Sequence, residues 1–218
     1  MEKDLVLEQL LTRLSFSETI ELTAEEELSV LKYLHKDDFM DNGSSRVTYD
    51  FCGDYVVKVA MSKGGFNQNK IERDFYKEIG DTDYFAHLFA YGRTINIMEK
   101  LYDCQCYDED DLYYYSEDEE CEVESEYEEI ASVIENANEL TNYYGGDNGQ
   151  IGYSKNDGVY KLYDYGYSMD YERDDIVDSV GSWMEIVDPL QNAIEILEGR
   201  EPYSQGELYD MWRAEREF

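Results

Sequence analysis

Basic residues are scarce in this chain. It has 18 lysines and arginines against 52 aspartates and glutamates in 218 residues, which gives a formal net charge of −34 and a pI near 4.1. Binding to free nucleic acid needs a basic surface, so we expect no direct contact with nucleic acid. A basic protein, in particular one that itself binds nucleic acid, fits this charge as a partner. The alternative is an acidic surface that serves only solubility or tolerance of high salt.

Cysteine, histidine and long apolar runs are also in short supply. The four cysteines form no even disulfide framework, and Cys104 and Cys106 are too close together for a zinc knuckle. The cysteines and the two histidines are Cys52, Cys104, Cys106, Cys121, His35 and His87. We therefore expect reduced thiols and no metal site among these residues. No run approaches the ~18 apolar residues of a membrane span, and the N-terminus lacks a signal-peptide pattern. A cytoplasmic protein with no membrane partner is expected.

Hydrophobic periodicity predicts an α+β chain in four parts. Residues 1–36 are predicted to form a helical appendage, whose second helix begins with a capping box at Thr23. This appendage packs on the next domain or, alternatively, binds a partner. Residues 37–101 are predicted to contain a hairpin of strands 44–51 and 55–60, a loop at 62–65, a helix over 67–79, and strands at 85–91 and 94–98. Residues 102–129 are an acidic insertion, and residues 130–218 form a smaller helical part.

The C-terminal part contains one clear hairpin signal. Strands at 151–153 and 159–163 flank Asn156-Asp157-Gly158, and Asp-Gly supplies the positive φ that such a turn requires. Helices are predicted over 130–140, 176–183 and 186–197. The last residues, 206–218, also carry apolar side chains at helical spacing.

The insertion of residues 102–129 has no lysine or arginine and is rich in tyrosine. One interpretation is a phosphate-like surface that binds a basic groove on a partner. The other is a solvated insertion with no partner, since charge runs usually remain solvated. The candidate partner-binding residues are Asp108, Glu109, Asp110, Asp111, Glu117, Asp118, Glu119 and Glu120.

A single lysine, Lys58, lies inside the apolar run of residues 55–60. An unpaired ammonium is costly to bury, so this lysine requires an anion. The next candidate along the chain is Glu72, in the predicted helix. A strand lysine, a helix glutamate and a later Asp-x-Gly together indicate the phosphate-handling half of a kinase-like fold.

Three sequence stretches resemble small kinase-like proteins of phages and bacteria. They are Gly43-Ser44-Ser45-Arg46-Val47, the run 55–60 with Gln68-Asn69-Lys70-x-Glu72, and the stretch from Gly152-Tyr153 to Asp164-Tyr165-Gly166. The resemblance covers about residues 42–168. It implies a bilobal kinase-like fold with an antiparallel N-lobe sheet and a reduced helical C-lobe.

The resemblance also implies roles for individual residues. Lys58 would hold the α- and β-phosphates of a nucleotide, with Glu72 as its helix partner. Residues 98–101, which include Glu99, would be the hinge against an adenine. Asp164 would bind Mg²⁺, for which a carboxylate is a suitable hard ligand. The alternative is that Lys58 and Glu72 are a retained ion pair that only fixes the helix on the sheet.

The catalytic loop departs from the kinase pattern. Counted back from Asp164, the metal-binding asparagine falls at Gln150 and the catalytic aspartate at Gly145. Neither residue fits the pattern. Asp147 and Asn148 lie close by, but at the wrong spacing; a two-residue slip would bring Asn148 into place, though not both residues. We therefore assign no catalytic residue and expect no cofactor, with Mg-ATP bound only if the protein is active.

Two functions follow from these residues. The first is a catalytically degenerate, phage-encoded kinase-like protein that acts by binding. Its acidic surface would occlude a basic, nucleic-acid-binding site on a host protein, for example one used in defence. The second is an active Mg-ATP-dependent phosphotransferase on a protein or a small molecule. A third interpretation is an acidic immunity or storage protein with no kinase ancestry. It applies only if the predicted hairpin of residues 44–60 does not form.

Overall fold

The structure, a computed structural model, describes residues 4–16, 18–43, 45–79, 83–103, 132–133, 151–163, 184 and 186–216. This part of the chain has a mixed α+β fold with five α-helices and nine strands. The helices are α1 Leu5–Leu14, α2 Ala24–Tyr33, α3 Lys63–Ile79, α4 Pro189–Leu197 and α5 Gln205–Arg216. The strands are β1 Ile20–Glu21, β2 Phe39–Asn42, β3 Arg46–Phe51, β4 Tyr55–Ala60, β5 Leu88–Tyr91, β6 Ile95–Glu99, β7 Tyr102–Asp103, β8 Ile151–Ser154 and β9 Val159–Leu162.

The main sheet has six strands in the order β1-β5-β6-β4-β3-β2. Strands β2 to β6 are antiparallel, whereas β1 lies parallel to β5. The predicted antiparallel sheet is therefore mixed. Strand β1 comes from the region between the two N-terminal helices, where no strand was predicted. The hydroxyl of Thr19 donates to the Leu88 carbonyl (2.7 Å), and the Leu22 N–H donates to the Tyr91 carbonyl (2.8 Å).

One face of this sheet, the back face, is covered by helices from both ends of the chain. Alternate residues of β3, β4 and β6 point into an apolar core shared with α1, α2, α4 and α5. This core contains Leu10, Leu14, Val30, Leu31, Val47, Tyr49, Phe51, Val57, Val59, Ile95, Ile97, Ala193 and Leu208. The Asn192 amide also donates to the Met61 carbonyl (3.1 Å) at the end of β4. The described C-terminal helices thus pack on the same sheet as the N-terminal helices.

The opposite face, the front face, packs against α3 and a second, three-stranded sheet of order β7-β8-β9. The predicted hairpin is confirmed, with Gly158 at φ +71° in the turn between β8 and β9. The predicted loop at residues 62–65 is wrong, because α3 begins at Lys63. Glycine is needed at position 65, since a Cβ there would lie 2.3 Å from the Ser45 carbonyl oxygen.

Several predictions fall outside the described residues. The acidic insertion beyond Asp103 lies there, as do the catalytic-loop positions up to Gln150 and the predicted helix over 176–183. Of the predicted helix over 130–140, only residues 132–133 are described, and they are helical. The four-part division of the chain stays a prediction. In the described ranges, no helix combines the length and the apolar character that crossing a membrane requires.

Candidate functional site

Lys58 lies in the middle of β4, on the front face of the sheet. Its strand neighbours are Thr48 on β3 and Asn96 on β6, which are directly opposite it. The ammonium is buried and donates to Glu72 Oε1 at 2.7 Å. It also donates to the main-chain carbonyl oxygen of Tyr163 at 2.6 Å. The predicted ion pair between strand and helix is therefore present.

A second cation, Arg46, shares the same carboxylate. Its Nη1 lies 2.7 Å from Glu72 Oε2, and both side chains are almost completely buried. The sequence analysis missed this contact. The alternation of β3 could have revealed it, because Arg46 and Thr48 lie two residues apart and so share a face. The result is a buried triad of two cations and one carboxylate.

The triad keeps Glu72 ionised. Complete burial alone would raise the pKa of this carboxyl group, but the neighbouring Arg46 and Lys58 outweigh it and lower the pKa from 4.5 to about 2. The Asn96 amide also donates to Glu72 Oε2 at 3.1 Å. Charge and hydrogen bonds together satisfy the buried carboxylate on both of its oxygens.

Two further side chains hold α3 on the sheet. The hydroxyl of Ser45 donates to Gln68. Asn69 accepts from Arg46 Nη1 at 3.3 Å, and its amide donates to the Thr94 carbonyl at 3.2 Å. Each of these groups is buried, so a missing partner would be costly. The position of α3, and with it that of Glu72, is thus fixed over two turns of the helix.

A cleft of about 390 Å³ opens beside the triad. The cleft is lined by Arg46, Lys58 and Tyr163, together with apolar side chains of the sheet and of residues 98–101. The lining residues are Met40, Asp41, Gly43, Arg46, Thr48, Val56, Lys58, Ala86, Met98, Glu99, Leu101 and Tyr163. Its apolar side chains, the cations Arg46 and Lys58 and the carboxylates Asp41 and Glu99 together offer contacts to a ligand with both apolar and charged groups.

Glu99, the predicted hinge residue, belongs to a second buried cluster. Its Oε2 lies 3.0 Å from Lys161 Nζ and accepts from the His87 N–H at 3.2 Å. Its other oxygen accepts from the Ser154 hydroxyl. Burial would lower the pKa of Lys161, but its bonds to Asp157 and Glu99 raise it. The cluster joins the hairpin β8–β9 to the end of β6.

The structure does not describe the remaining predicted site residues. Asp164, the eight candidate partner-binding acids and the catalytic-loop positions lie outside the described residues. The carbonyl bound by Lys58 belongs to Tyr163, the residue directly before Asp164. Among the described side chains, no group of three or more His, Cys, Asp or Glu residues could hold a metal ion.

Comparison with known proteins identifies no relative. No protein-family model matches this chain. No curated protein matches it either. The function is therefore inferred from the residues and their geometry.

Proposed function

We propose that this chain is a catalytically degenerate kinase-like protein that acts by binding a basic partner protein. The observation that carries the proposal is the state of Lys58. Its ammonium is held inside the chain by Glu72 and by the Tyr163 carbonyl, and Glu72 is shared with Arg46. Active kinases also contain such a lysine–glutamate pair, so the Tyr163 carbonyl contact and the sharing of Glu72 with Arg46, rather than the pair itself, favour a structural role for Lys58.

The topology of the main sheet supports a kinase-like ancestry. The five antiparallel strands follow one another as β2-β3-β4, then α3, then β5-β6, and β6 inserts beside β4. Lys58 lies on the strand before the helix and Glu72 on the helix itself. Tyr163, the residue directly after β9, contacts Lys58 through its carbonyl oxygen, and Asp164 is the next residue in the sequence. These placements agree with the roles that the resemblance implies.

Two features support the loss of phosphoryl transfer. A phosphate-binding lysine is oriented by its glutamate, but here Glu72 also neutralises Arg46. In addition, Gly145 and Gln150 stand where a catalytic aspartate and a metal-binding asparagine are needed. Glycine has no side chain to orient an acceptor hydroxyl, and glutamine carries its amide one methylene further from the main chain than the asparagine of the pattern does.

The charge supports function through binding. A net charge of −34 attracts basic surfaces and speeds their association, and the effect falls as salt increases. The candidate acids at 108–111 and 117–120 concentrate this charge in a segment without any lysine or arginine. A protein that normally binds nucleic acid offers the complementary surface.

The cleft favours one second candidate, an active Mg-ATP-dependent phosphotransferase. The cleft lining contains Arg46 and Lys58 as well as apolar side chains, which suit the phosphates and the base of a nucleotide respectively. In that case Lys58 would hold phosphate, and Asp164 would supply the carboxylate ligand for Mg²⁺. The two candidates differ in whether Lys58 is needed for function or only for stability.

Nucleotide assays separate the two candidates. We expect that Mg-ATP is not consumed and that no phosphoryl group reaches the protein or an added acceptor. A thermal shift with millimolar Mg-ATP, lost in both Lys58→Ala and Asp164→Ala and accompanied by phosphoryl transfer, would instead favour the phosphotransferase. Circular dichroism of both variants controls for folding.

Partner capture tests the binding function. The immobilised protein is exposed to host lysate at low and at high salt, and the eluted proteins are identified by mass spectrometry. We expect a basic protein that is released by salt and that no longer binds when Glu117, Asp118, Glu119 and Glu120 are changed to the corresponding amides. Binding that is insensitive to both changes would contradict the proposal.

A further inference from the structure

Strand β2 forms one edge of the main sheet. It pairs with β3 on one side, and no other described strand pairs with it. The first two residues of the strand, Phe39 and Met40, are 40% and 43% exposed. An edge strand presents backbone N–H and C=O groups that can pair with an added strand. Large exposed apolar side chains on such an edge are uncommon in a protein that protects it.

The two faces of this edge differ in chemistry. On the back face, the Phe39 ring packs edge-on against Tyr49, and Tyr33 packs against Phe51 in the same way. Tyr33 is itself 44% exposed, and its ring partner Phe51 lies two residues from Tyr49, on the same face of β3. On the front face, Asp41 lies opposite Thr48 and is exposed beside the cleft. An added strand would therefore meet aromatic rings on one face and, on the other, the exposed Asp41 carboxylate beside a cleft whose cations, Arg46 and Lys58, are buried.

The surroundings of the edge are acidic. Asp37 precedes the strand and is exposed, and Asp38 is half-buried beside it. Asp188 also lies near, since its carboxylate is 3.8 Å from Lys36 Nζ. Lys36 is the one cation among residues 33–43, against three aspartates. This charge favours a segment with basic residues and disfavours an acidic one.

We propose that the β2 edge docks an extended segment of the partner protein in which apolar and basic residues alternate. The segment adds to the main sheet as a strand, with its apolar side chains against Phe39 and Tyr33 and its basic side chains towards Asp41. Main-chain hydrogen bonds supply affinity, and the alternation supplies specificity. The inference rests on the proposed binding function, and it places the contact on β2, outside the acidic insertion.

The shape of β2 has a competing explanation. The strand is four residues long, its register shifts between Phe39 and Asp41, and it carries a charge. Short, bulged and charged edges prevent unwanted pairing. A protective edge, however, gains nothing from an exposed phenylalanine next to an exposed methionine. The experiment below distinguishes docking from protection.

The probe is a short fluorescent peptide in which lysine and valine alternate. A second peptide has the same sequence with methyl groups on alternate backbone nitrogens, which removes hydrogen-bond donors and keeps the charge. The test variant is Phe39→Lys. Its matched control is Phe16→Lys, which makes the same change at a residue that is 64% exposed just after α1. Fluorescence anisotropy measures the dissociation constants, and melting temperatures check folding.

We expect the unmodified peptide to bind the parent protein and Phe16→Lys equally. Phe39→Lys and the methylated peptide should each weaken binding about tenfold, which corresponds to about 1.4 kcal/mol. Asp41→Asn should weaken it less, and amide hydrogen exchange at residues 39–42 should slow when the peptide binds. Equal affinities for both peptides, equal losses in both lysine variants, or no binding would overturn the inference.

The two proposals can fail separately. If a captured partner still binds Phe39→Lys at full strength but not the variant neutralised at 117–120, the binding function holds and the β2 edge is wrong. If Mg-ATP is turned over in a Lys58-dependent way, the proposed function is wrong whatever the peptide does.

Discussion

Replacing Glu72 by glutamine removes the carboxylate that Arg46 and Lys58 share in the buried triad. Both cations and the carboxylate are almost completely buried. Removal of one partner from a buried ion pair costs about 3–5 kcal/mol, because the remaining charge has lost its compensation. A typical domain is stabilised by only about 5–15 kcal/mol in total, so this cost is a large part of its stability. We therefore expect Glu72→Gln to unfold at a much lower urea concentration.

The pH dependence gives an independent measure of the same contact. The pKa of Glu72 is about 2 in the folded protein and 4.5 in its ordinary state. A lowered folded pKa contributes stability that is fully present above pH 4.5 and is lost as the pH falls towards 2. The difference corresponds to about 3 kcal/mol at 1.36 kcal/mol per pKa unit. Glu72→Gln lacks this titrating carboxyl group. The difference in free energy of unfolding between the parent protein and the variant should therefore narrow by about this amount in acid.

Urea titrations at neutral and acidic pH, followed by circular dichroism, measure both effects. The control is Glu78→Gln, which changes an exposed glutamate on the same helix. It should alter the free energy of unfolding by less than about 0.5 kcal/mol. Two results would refute the assignment of the triad as the anchor of α3. One is a loss of less than about 1 kcal/mol in the free energy of unfolding of Glu72→Gln. The other is a difference in this free energy between parent and variant that does not narrow as the pH falls.

Three further variants and one control variant test other parts of the fold by urea titration. Gly65→Ala places a Cβ 2.3 Å from a carbonyl oxygen of Ser45 and should cost about 1–3 kcal/mol. The control, Gly206→Ala in α5, meets no atom closer than 4.0 Å and should stabilise the protein by about 0.5–1 kcal/mol. Equal changes in the free energy of unfolding for the two alanine variants would contradict the close contact at Gly65. Thr23→Ala removes the capping box of α2 and should cost about 1 kcal/mol. Lys161→Met leaves a buried carboxylate without its cation and should cost about 3–5 kcal/mol, so a neutral result would show that the cluster is not coupled.

The local elements were predicted well where their signals are local. A short apolar run predicted the strand at 55–60, and the turn signal Asp157-Gly158 predicted the hairpin with its strand at 151–153, which is β8 Ile151–Ser154 in the structure. The capping box at Thr23 predicted the start of α2. The start of α3 was wrong because Gly64 and Gly65 are typical of loops in sequence. Both lie in α3, and glycine is needed at position 65 because the Ser45 carbonyl and Ala60 at the end of β4 lie too close for a larger side chain.

The candidate site was predicted in part. The cost of burying Lys58 in a strand was sufficient to predict an acidic partner, and Glu72 was the nearest suitable residue. Neither Arg46 nor the pair of Lys161 with Glu99 was predicted. Lys161 and Glu99 are far apart in sequence, so only the docking of the hairpin β8–β9 on the main sheet brings them together.

The sequence by itself determined the charge, the alternation of the strands and the demand of Lys58 for an anion, since each depends on residue type and local spacing. Only the tertiary structure decided that Glu72 serves two cations, that β1 joins the sheet in parallel, and that α4 and α5 cover its back face. These outcomes depend on which faces meet. That choice is made by packing between segments far apart in the chain, where a sequence pattern fixes what each face offers but not what it contacts.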